Sequence, residues 1–176
     1  MRGRQRAGAT PQGQVRMASE ACRKGLGLLL MLAAIAGGAA PPAPDFALRS
    51  ADGHNVRLSE FRGQVLVVAF WSSRCADCDR HVEHLDALTQ RLYERGVRLL
   101  VVSIDREPNA ARERAARLQA PILLDMEREV ARLYDIGRLP VVHFVDYHGR
   151  LRDVEATTNG RELTRYEPTL LALLDE

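Results

Sequence analysis

The stretch that decides the fold is VLVVAFWSSRCADC, residues 65–78. Its first seven residues are continuously apolar, as expected of a β-strand that is buried on both faces of a sheet. The residues that follow carry apolar side chains at helical intervals and predict a helix over residues 76–95. These side chains are Val82, Leu85, Leu88 and Leu92. The pair Cys75 and Cys78 therefore lies at a strand-to-helix junction.

This junction has consequences for the chemistry of the two cysteines. The first N–H groups of a helix have no intrahelical partner, and the helix dipole favours negative charge at that end. Both effects stabilise a thiolate, which is the form of cysteine that attacks disulfides. Cys78 lies three residues after Cys75, on the same helical face, and can close a ring with it. The spacing predicts a dithiol–disulfide exchange centre, and an inert structural disulfide is the alternative.

The N-terminal forty residues differ in composition from the rest of the chain. A basic segment precedes an apolar run over residues 26–36, and small residues and prolines follow as far as residue 42. This order is typical of a secretory signal peptide, and the run is shorter than the ~20 residues that a transmembrane helix needs. We expect residues 1–40 to be a signal peptide or N-terminal anchor with a linker. Residues 41–176 are then one domain that is periplasmic or exported, anchored by residues 26–36 if the segment is not cleaved.

Removing this leader changes the charge and the cysteine count of the protein. Residues 41–176 contain 19 basic and 22 acidic residues, a formal net charge of −3, whereas the whole chain has +2. The basicity belongs to the leader, so we expect no nucleic-acid partner. Cys22 also lies in the leader, which leaves Cys75 and Cys78 as the only cysteines of the predicted domain. An isolated close pair in an exported protein is either one structural loop or a redox centre.

Strand and helix patterns alternate along the predicted domain. A β-hairpin with an Asp-Gly turn occupies residues 46–58, and the strand of residues 65–70 and the first helix follow. The later strands are predicted at residues 98–104, 122–124, 141–145 and 151–154. The later helices are predicted at residues 108–119, from a cap at Asp125 through Tyr134, and at 162–174, where Pro168 should kink or break the helix. The fold class is therefore α/β, a central mixed β-sheet flanked by helices on both faces, with an N-terminal β-hairpin.

Five features of the predicted domain occur in a characteristic order and spacing. They are Ala43-Pro44-Asp45-Phe46, the run from Gly63 to Val68 before Phe70-Trp71, Cys75-x-x-Cys78, Leu123-Leu124-Asp125 with Val130 to Ile136, and Gly137-Arg138-Leu139-Pro140. Together they resemble the exported TlpA/ResA-type branch of the thioredoxin-like fold, within the AhpC/TSA–redoxin superfamily. This branch includes thiol reductases of cytochrome c biogenesis. The resemblance implies reduction of protein disulfides outside the cytoplasm, with no cofactor besides the redox-active disulfide. The implied partners are a disulfide-containing protein substrate and an upstream membrane thiol reductant, and we expect a monomer.

The resemblance and the junction together assign roles to individual residues. Cys75 should be the nucleophile and Cys78 the resolving thiol, because the junction exposes the first and buries the second. Pro140 resembles the cis-proline that faces the cysteine pair in thioredoxin folds, and the backbone of Leu139 would then pair with a substrate strand. Trp71 is expected to support the site from the end of the strand. An ordinary trans proline at residue 140 is the alternative.

The chain also departs from the family pattern. Arg74 replaces the usual tryptophan before the first cysteine, Asp77 the proline before the second, and Glu83 a helix proline. Ala69 occupies the position of a buried carboxylate in thioredoxin, and His81 that of a common glutamate. His81 could accept the proton of the resolving thiol, and a solvated helix histidine is the alternative. Arg74 would stabilise a thiolate at the first cysteine, whereas Asp77 would oppose it.

A metal carrier is the first alternative function. Cys75, Cys78, His81 and His84 recur at every third residue. Nine residues of helix rise ~13.5 Å, whereas zinc–ligand bonds measure only ~2.0–2.3 Å, so all four side chains cannot bind one ion. The two cysteines and one histidine could still hold copper or zinc, as in a metallochaperone-like module. We nevertheless expect that the site holds no metal.

A thiol peroxidase is the second alternative. Peroxiredoxins carry the pattern Pro-x-x-x-Thr-x-x-Cys at their reactive cysteine. Ser72 fits the Thr position relative to Cys75, but Val68 stands where the proline should be. The pattern therefore argues against a peroxidase.

Overall fold

The computed structural model describes residues 40–156 and 163–176. Within these residues the chain forms seven strands and four helices in the predicted order. The strands are β1 (Ala47–Arg49), β2 (Asn55–Arg57), β3 (Val65–Trp71), β4 (Val97–Ser103), β5 (Ile122–Leu124), β6 (Val141–Val145) and β7 (Leu151–Ala156). The helices are α1 (Cys78–Arg91), α2 (Asn109–Ala115), α3 (Glu129–Leu133) and α4 (Leu163–Leu174). Short 3-10 turns follow β2 and α1, at Leu58–Phe61 and Tyr93–Arg95.

Strands β3 to β7 form a five-stranded mixed sheet in the order β5-β4-β3-β6-β7. β3 runs parallel to β4 and antiparallel to β6, and β6 is antiparallel to β7. β1 and β2 pair antiparallel in a separate two-stranded sheet, and Gly53 adopts a positive φ of 97° in the turn between them. Such a φ favours glycine because a Cβ is disfavoured there. The predicted mixed sheet and N-terminal hairpin are confirmed.

Strand β3 lies at the centre of the sheet and is buried along its whole length. Its alternate side chains Val65, Val67, Ala69 and Trp71 belong to one core, which also contains Leu85 and Leu88 of α1 and Leu170 of α4. Its other side chains, Leu66, Val68 and Phe70, belong to a second core, which contains Val130 of α3 and Phe46. Two covered faces explain the continuous apolar run, because each face must exclude water. The end of this strand therefore gives the cysteine junction a rigid base.

Two helices are shorter than the sequence pattern predicts. Helix α1 begins at Cys78 and not at residue 76, because the preceding residues form turns, with the Cys75 N–H donating to the Ser72 carbonyl at 3.1 Å. Helix α2 ends at Ala115 and not at residue 119. The buried carboxylate of Asp86 instead accepts hydrogen bonds from the N–H groups of residues 119 and 120, at 3.0 and 2.9 Å. A long-range contact thus replaces the last turn of the helix.

The two C-terminal helices test the predicted cap and the predicted break. The Asp125 carboxylate accepts hydrogen bonds from the N–H groups of Val130 and Ala131, at 3.2 and 2.7 Å, so it stabilises the start of α3. The helix itself begins later than predicted, at Glu129, with Arg128 and not Asp125 as its N-cap residue. Helix α4 is continuous through Pro168, so the predicted break is wrong, and the predicted kink stays a prediction. The buried side chains of Tyr166 and Leu170 on either side hold the helix against the sheet.

Within residues 40–156 and 163–176, no helix is long and apolar enough to cross a membrane. The predicted signal peptide or anchor lies outside the described residues. The predicted boundary between leader and domain stays a prediction.

Candidate redox site

The two cysteines form a disulfide at the junction of β3 and α1. Their Sγ atoms are bonded and their Cα atoms are 5.4 Å apart. Cys78 is the first residue of α1 and is 0% exposed, among apolar neighbours that include Ala69. Cys75 is half-buried and lines an open cleft. One sulfur is therefore accessible and the other is not.

The turn before Cys75 is fixed by a carboxylate from the neighbouring strand. Asp105 lies just after β4, and its Oδ1 accepts a hydrogen bond from the Ser72 hydroxyl at 2.5 Å. Its Oδ2 accepts another from the Ser73 N–H at 2.8 Å. The Ser72 hydroxyl oxygen in turn accepts from the Arg74 N–H at 3.2 Å. Asp105 thus ties the loop that carries the accessible cysteine to the end of β4.

The side chain of Trp71 supports the junction between β3 and α1. The side chain is buried, and its indole Nε1 donates a hydrogen bond to Asp79 of α1 at 2.8 Å. Asp79 also forms an ion pair with Arg114 of α2, which pairs with Glu83 at 2.6 Å. The side chain of Arg114 is only 10% exposed, so these ion pairs are partly shielded from water. The network fixes the start of α1 relative to β3 and α2.

The cleft beside Cys75 has a volume of about 360 Å3. Residues 74–77 and 136–140 line it, together with Ser72, Ile104 and Arg128. Within the second segment, Leu139 is half-buried and Pro140 is buried. The Leu139–Pro140 peptide bond is cis, as the resemblance implied. The structure thus brings the predicted residues Arg74, Cys75, Leu139 and Pro140 to one cleft, whereas Trp71 is buried and does not line it.

His81 is buried, so the alternative of a solvated helix histidine is wrong for this residue. Its side chain packs against Tyr166, with ring centroids 6.5 Å apart. The Nδ1 atom is 2.9 Å from the carbonyl oxygen of Asp77. Because a carbonyl can only accept, Nδ1 must carry the proton, and in the neutral ring Nε2 is then the basic nitrogen. Nε2 is buried and has no hydrogen-bond partner among the described residues.

The same geometry bears on the metal-carrier alternative. Within the part of the chain that the structure describes, no group of three His, Cys, Asp or Glu side chains is arranged to hold a metal ion. His81 could ligate only through Nε2, because its Nδ1 is taken by the Asp77 carbonyl. His84 is half-buried against Tyr166, with ring centroids 6.4 Å apart.

Sequence reasoning missed four residues around the site. Asp79 and Asp105 could have been found from the sequence. Asp79 is an acidic residue in the first turn of a helix, and Asp105 is a carboxylate at the end of a buried parallel strand. Arg128 and Arg138 line the cleft from loops. Arg138 is part of the family-like segment Gly137-Arg138-Leu139-Pro140 but was given no role, and no pattern indicated Arg128.

Comparison with known proteins shows the family to which the chain belongs. The sequence profile of the AhpC/TSA family matches residues 39–154. The thiol–disulfide oxidoreductase ResA of Geobacillus kaustophilus is 32% identical over 123 residues, which are 68% of this chain and 70% of that protein. The chain belongs to the AhpC/TSA family.

Solved structures extend the comparison. The thiol:disulfide interchange protein DsbE of Chlorobium tepidum has a TM-score of 0.71 at 25% identity, covering 77% of this chain and 96% of that one. A secreted Mycobacterium tuberculosis disulfide oxidoreductase shares the fold, with a TM-score of 0.65 at 15% identity, covering 72% and 95%. The predicted thioredoxin-like fold and thiol–disulfide oxidoreductase class are confirmed. The roles of individual site residues stay predictions.

Proposed function

We propose that this oxidoreductase reduces disulfide bonds of proteins outside the cytoplasm, with Cys75 as the nucleophile and Cys78 as the resolving thiol. The observation that carries the assignment is the difference in exposure between the two sulfurs. Cys75 opens onto the cleft, whereas Cys78 is completely buried behind it. A substrate sulfur can therefore approach the first cysteine directly and the second only through the first.

The reaction begins with the pair reduced. The Cys75 thiolate attacks one sulfur of the substrate disulfide, a mixed disulfide forms, and the other substrate sulfur leaves as a thiolate. The Cys78 thiol loses its proton and attacks the Cys75 sulfur. The disulfide between the two cysteines forms, and the second substrate thiolate leaves. Both substrate sulfurs take up protons, so the substrate gains two electrons and two protons.

The other site residues have supporting roles in this proposal. Leu139 and Pro140 line the cleft beside Cys75, and the Leu139 backbone would pair with the substrate chain. Trp71 positions the start of α1 through its hydrogen bond to Asp79. His81 would take the proton of the resolving thiol through Nε2, since this is its basic nitrogen.

The partners follow from the proposed direction. A reductase ends each turnover with the disulfide that the structure contains, so a thiol reductant must restore the dithiol. We propose an upstream membrane thiol reductant for this step. Apocytochrome c, a copper-site thiol protein and a general periplasmic target all fit as the substrate, and we propose a monomer as the working form.

The first test is reduction of insulin disulfides in the presence of a metal chelator. We expect the dithiol form to reduce insulin at an unchanged rate when the chelator is added, because the chemistry uses only the two sulfurs.

His81→Ala should slow resolution of the mixed disulfide and leave the first attack nearly unchanged, because Cys75 owes its reactivity to the helix end. Stopped-flow measurement of the two phases checks this, with His54→Ala, an exposed histidine on the β1–β2 turn, as the control.

A metal carrier would give a different result. The reduced protein would bind one Cu(I) or Zn(II) tightly, and His81→Ala would weaken that binding by about 10- to 100-fold or more, as loss of a ligand or its support does. Tight stoichiometric metal uptake without disulfide reduction would contradict the proposed function.

The second test concerns export. The basic segment and apolar run before residue 42 should carry a reporter out of the cytoplasm. Alkaline phosphatase fused after residue 45 is expected to be active, and the same fusion lacking residues 26–36 should be inactive. Activity of both fusions, or of neither, would contradict export by this segment. Cell fractionation of the active fusion then distinguishes a cleaved signal peptide from an anchor.

A further inference from the structure

Three arginines line the cleft beside Cys75. They are Arg74, Arg128 and Arg138, all of them exposed, and we call them the arginine rim. None of the three forms an ion pair with another described residue. Asp77 is the one carboxylate among the lining residues that the structure describes, and it pairs with Arg80 at 3.1 Å. Among the residues that the structure describes, the guanidinium groups of the rim therefore have no ion-pair partner within the cleft.

This positive charge is local. The predicted domain, residues 41–176, has a formal net charge of −3, so the rim is opposite in sign to the net charge of the domain that contains it. A second cavity, of about 420 Å3, shares Arg74 and Arg128 with the cleft and adds Arg106. Its two carboxylates are Asp105, which is bonded to the turn before the cysteines, and Glu107. A positive region thus extends from the cleft into the neighbouring cavity.

The backbone of Arg128 gives an independent indication. This residue has φ 56° and ψ 32°, in the left-handed region, where a side chain with a Cβ is disfavoured relative to glycine. Its N–H donates to the Asp125 carbonyl at 2.9 Å, which holds the turn. Glycine would adopt this conformation at a lower cost, so arginine at this position carries a conformational cost that a function of its side chain would explain. Binding of an anion in the cleft is such a function.

Resting on the proposed function, we propose that the arginine rim binds carboxylates beside the substrate disulfide, so that the preferred substrate is an acidic polypeptide segment. Arginine binds carboxylates through two parallel hydrogen bonds and stays charged at every physiological pH. Arg74 directly precedes Cys75, and Arg138 directly precedes Leu139, whose backbone would pair with the substrate. The rim comes from three separate segments of the chain. A ligand must extend across the cleft to reach all three, as a polypeptide does.

The test compares peptides that differ only in charge. Each contains one intramolecular disulfide, flanked on both sides by glutamates, glutamines or lysines. Fluorescence anisotropy measures their binding to the oxidised protein, and single-turnover kinetics measure their reduction by the dithiol form. At low ionic strength we expect the acidic peptide to be bound and reduced about tenfold better than the basic one. At ~1 M salt, where the Debye length is about 3 Å, the preference should disappear.

The variant Arg128→Gln with Arg138→Gln should lose this preference, and Arg138→Glu should shift it toward the basic peptide. Glutamine at residue 128 keeps a side chain in the same left-handed turn, so the backbone cost is unchanged. Arg74 is left in place because it also acts on the neighbouring sulfur. Arg49→Gln is the matched control, because Arg49 is exposed, lies outside the cleft lining and forms no ion pair with any described residue. Its preference should equal that of the wild type.

The outcomes separate this inference from the proposed function. Equal binding and equal reduction of the three peptides would overturn the role of the rim and leave the reductase intact. If no peptide is reduced, the reductase proposal fails. The binding preference among the peptides, measured by anisotropy, still tests whether the arginine rim binds acidic segments. Glutathione disulfide is a small anionic disulfide and serves as a further probe. Its reduction in preference to the acidic peptide, with the same dependence on the rim, would overturn the assignment of a polypeptide.

Discussion

The Cys78→Ser variant is expected to accumulate as a covalent mixed disulfide with its substrate, and Cys75→Ser is expected to accumulate none. Without Cys78 the first attack still occurs, but no buried thiol displaces the substrate from Cys75. Turnover should fall by on the order of a thousandfold or more in either variant, because each lacks one of the two groups that act as a unit. Non-reducing electrophoresis of cell extracts, followed by mass spectrometry, identifies the adducts.

The control for trapping is the double variant Cys75→Ser with Cys78→Ser, which should give no adduct. A reducing agent should release every substrate captured by Cys78→Ser. Adducts formed by Cys75→Ser instead would reverse the two roles, and their absence in all variants would remove the exchange mechanism. The captured proteins also supply sequences in which the acidic residues around the bound cysteine can be counted.

The order of strands and helices could be predicted from the sequence because the sheet is covered on both faces. Strand β3 is apolar along its whole length, and α1 carries a regular apolar stripe, so both patterns are strong. The ends of the helices could not be predicted in the same way. The end of α2 depends on Asp86, a residue of another helix, whose carboxylate binds the N–H groups of residues 119 and 120. No local pattern contains that contact.

The same distinction applies to the site. Cys75, Cys78 and Pro140 could be predicted from their positions in the pattern of elements. The two cysteines follow shortly after a buried strand, and the proline immediately precedes the terminal hairpin. The residues that hold the junction in place are brought to it by the fold, from β4 and from α2. Asp105 lies 33 residues from Ser72, to which it is hydrogen-bonded, and Arg114 lies 31 residues from Glu83. Their role becomes visible only once the strands are side by side.

His143 is a buried histidine that the sequence analysis did not identify. It lies in β6, opposite Val68 of β3, and is 3% exposed. Its ring packs edge-on against Phe70 and Tyr134, with centroids 5.8 and 5.2 Å away. Neither ring nitrogen has a hydrogen-bond partner among the described residues. Burial lowers the pKa of His143 from 6.5 to about 4, because this apolar site disfavours the charged imidazolium.

This lowered pKa predicts how the free energy of unfolding depends on pH. Between pH about 4 and ~6.5 the unfolded chain binds a proton at residue 143 that the native state does not, so stability rises with pH. The contribution of His143 is complete above ~6.5, falls as the pH decreases through this window, and is constant below about 4. A difference of about 2.5 pH units corresponds to roughly 3 kcal/mol, at ~1.36 kcal/mol per unit. Deprotonation of this one side chain should thus shift the folding equilibrium by more than a hundredfold.

The measurement is urea unfolding of the disulfide-bonded protein at several pH values across that window. His143→Phe should remove most of the slope, because phenylalanine keeps the aromatic contacts and has no group to protonate. His143→Leu tests the same point with a smaller side chain, in case the phenylalanine ring is too large. His148→Gln is the control, because His148 is exposed in the turn before β7 and its loss should leave the slope unchanged. Asp45 and Asp52 have lowered pKa values and lose their stabilising effect at still lower pH, so the difference between wild type and variant isolates His143. A slope that persists in both His143 variants would show that the acid sensitivity arises from other groups.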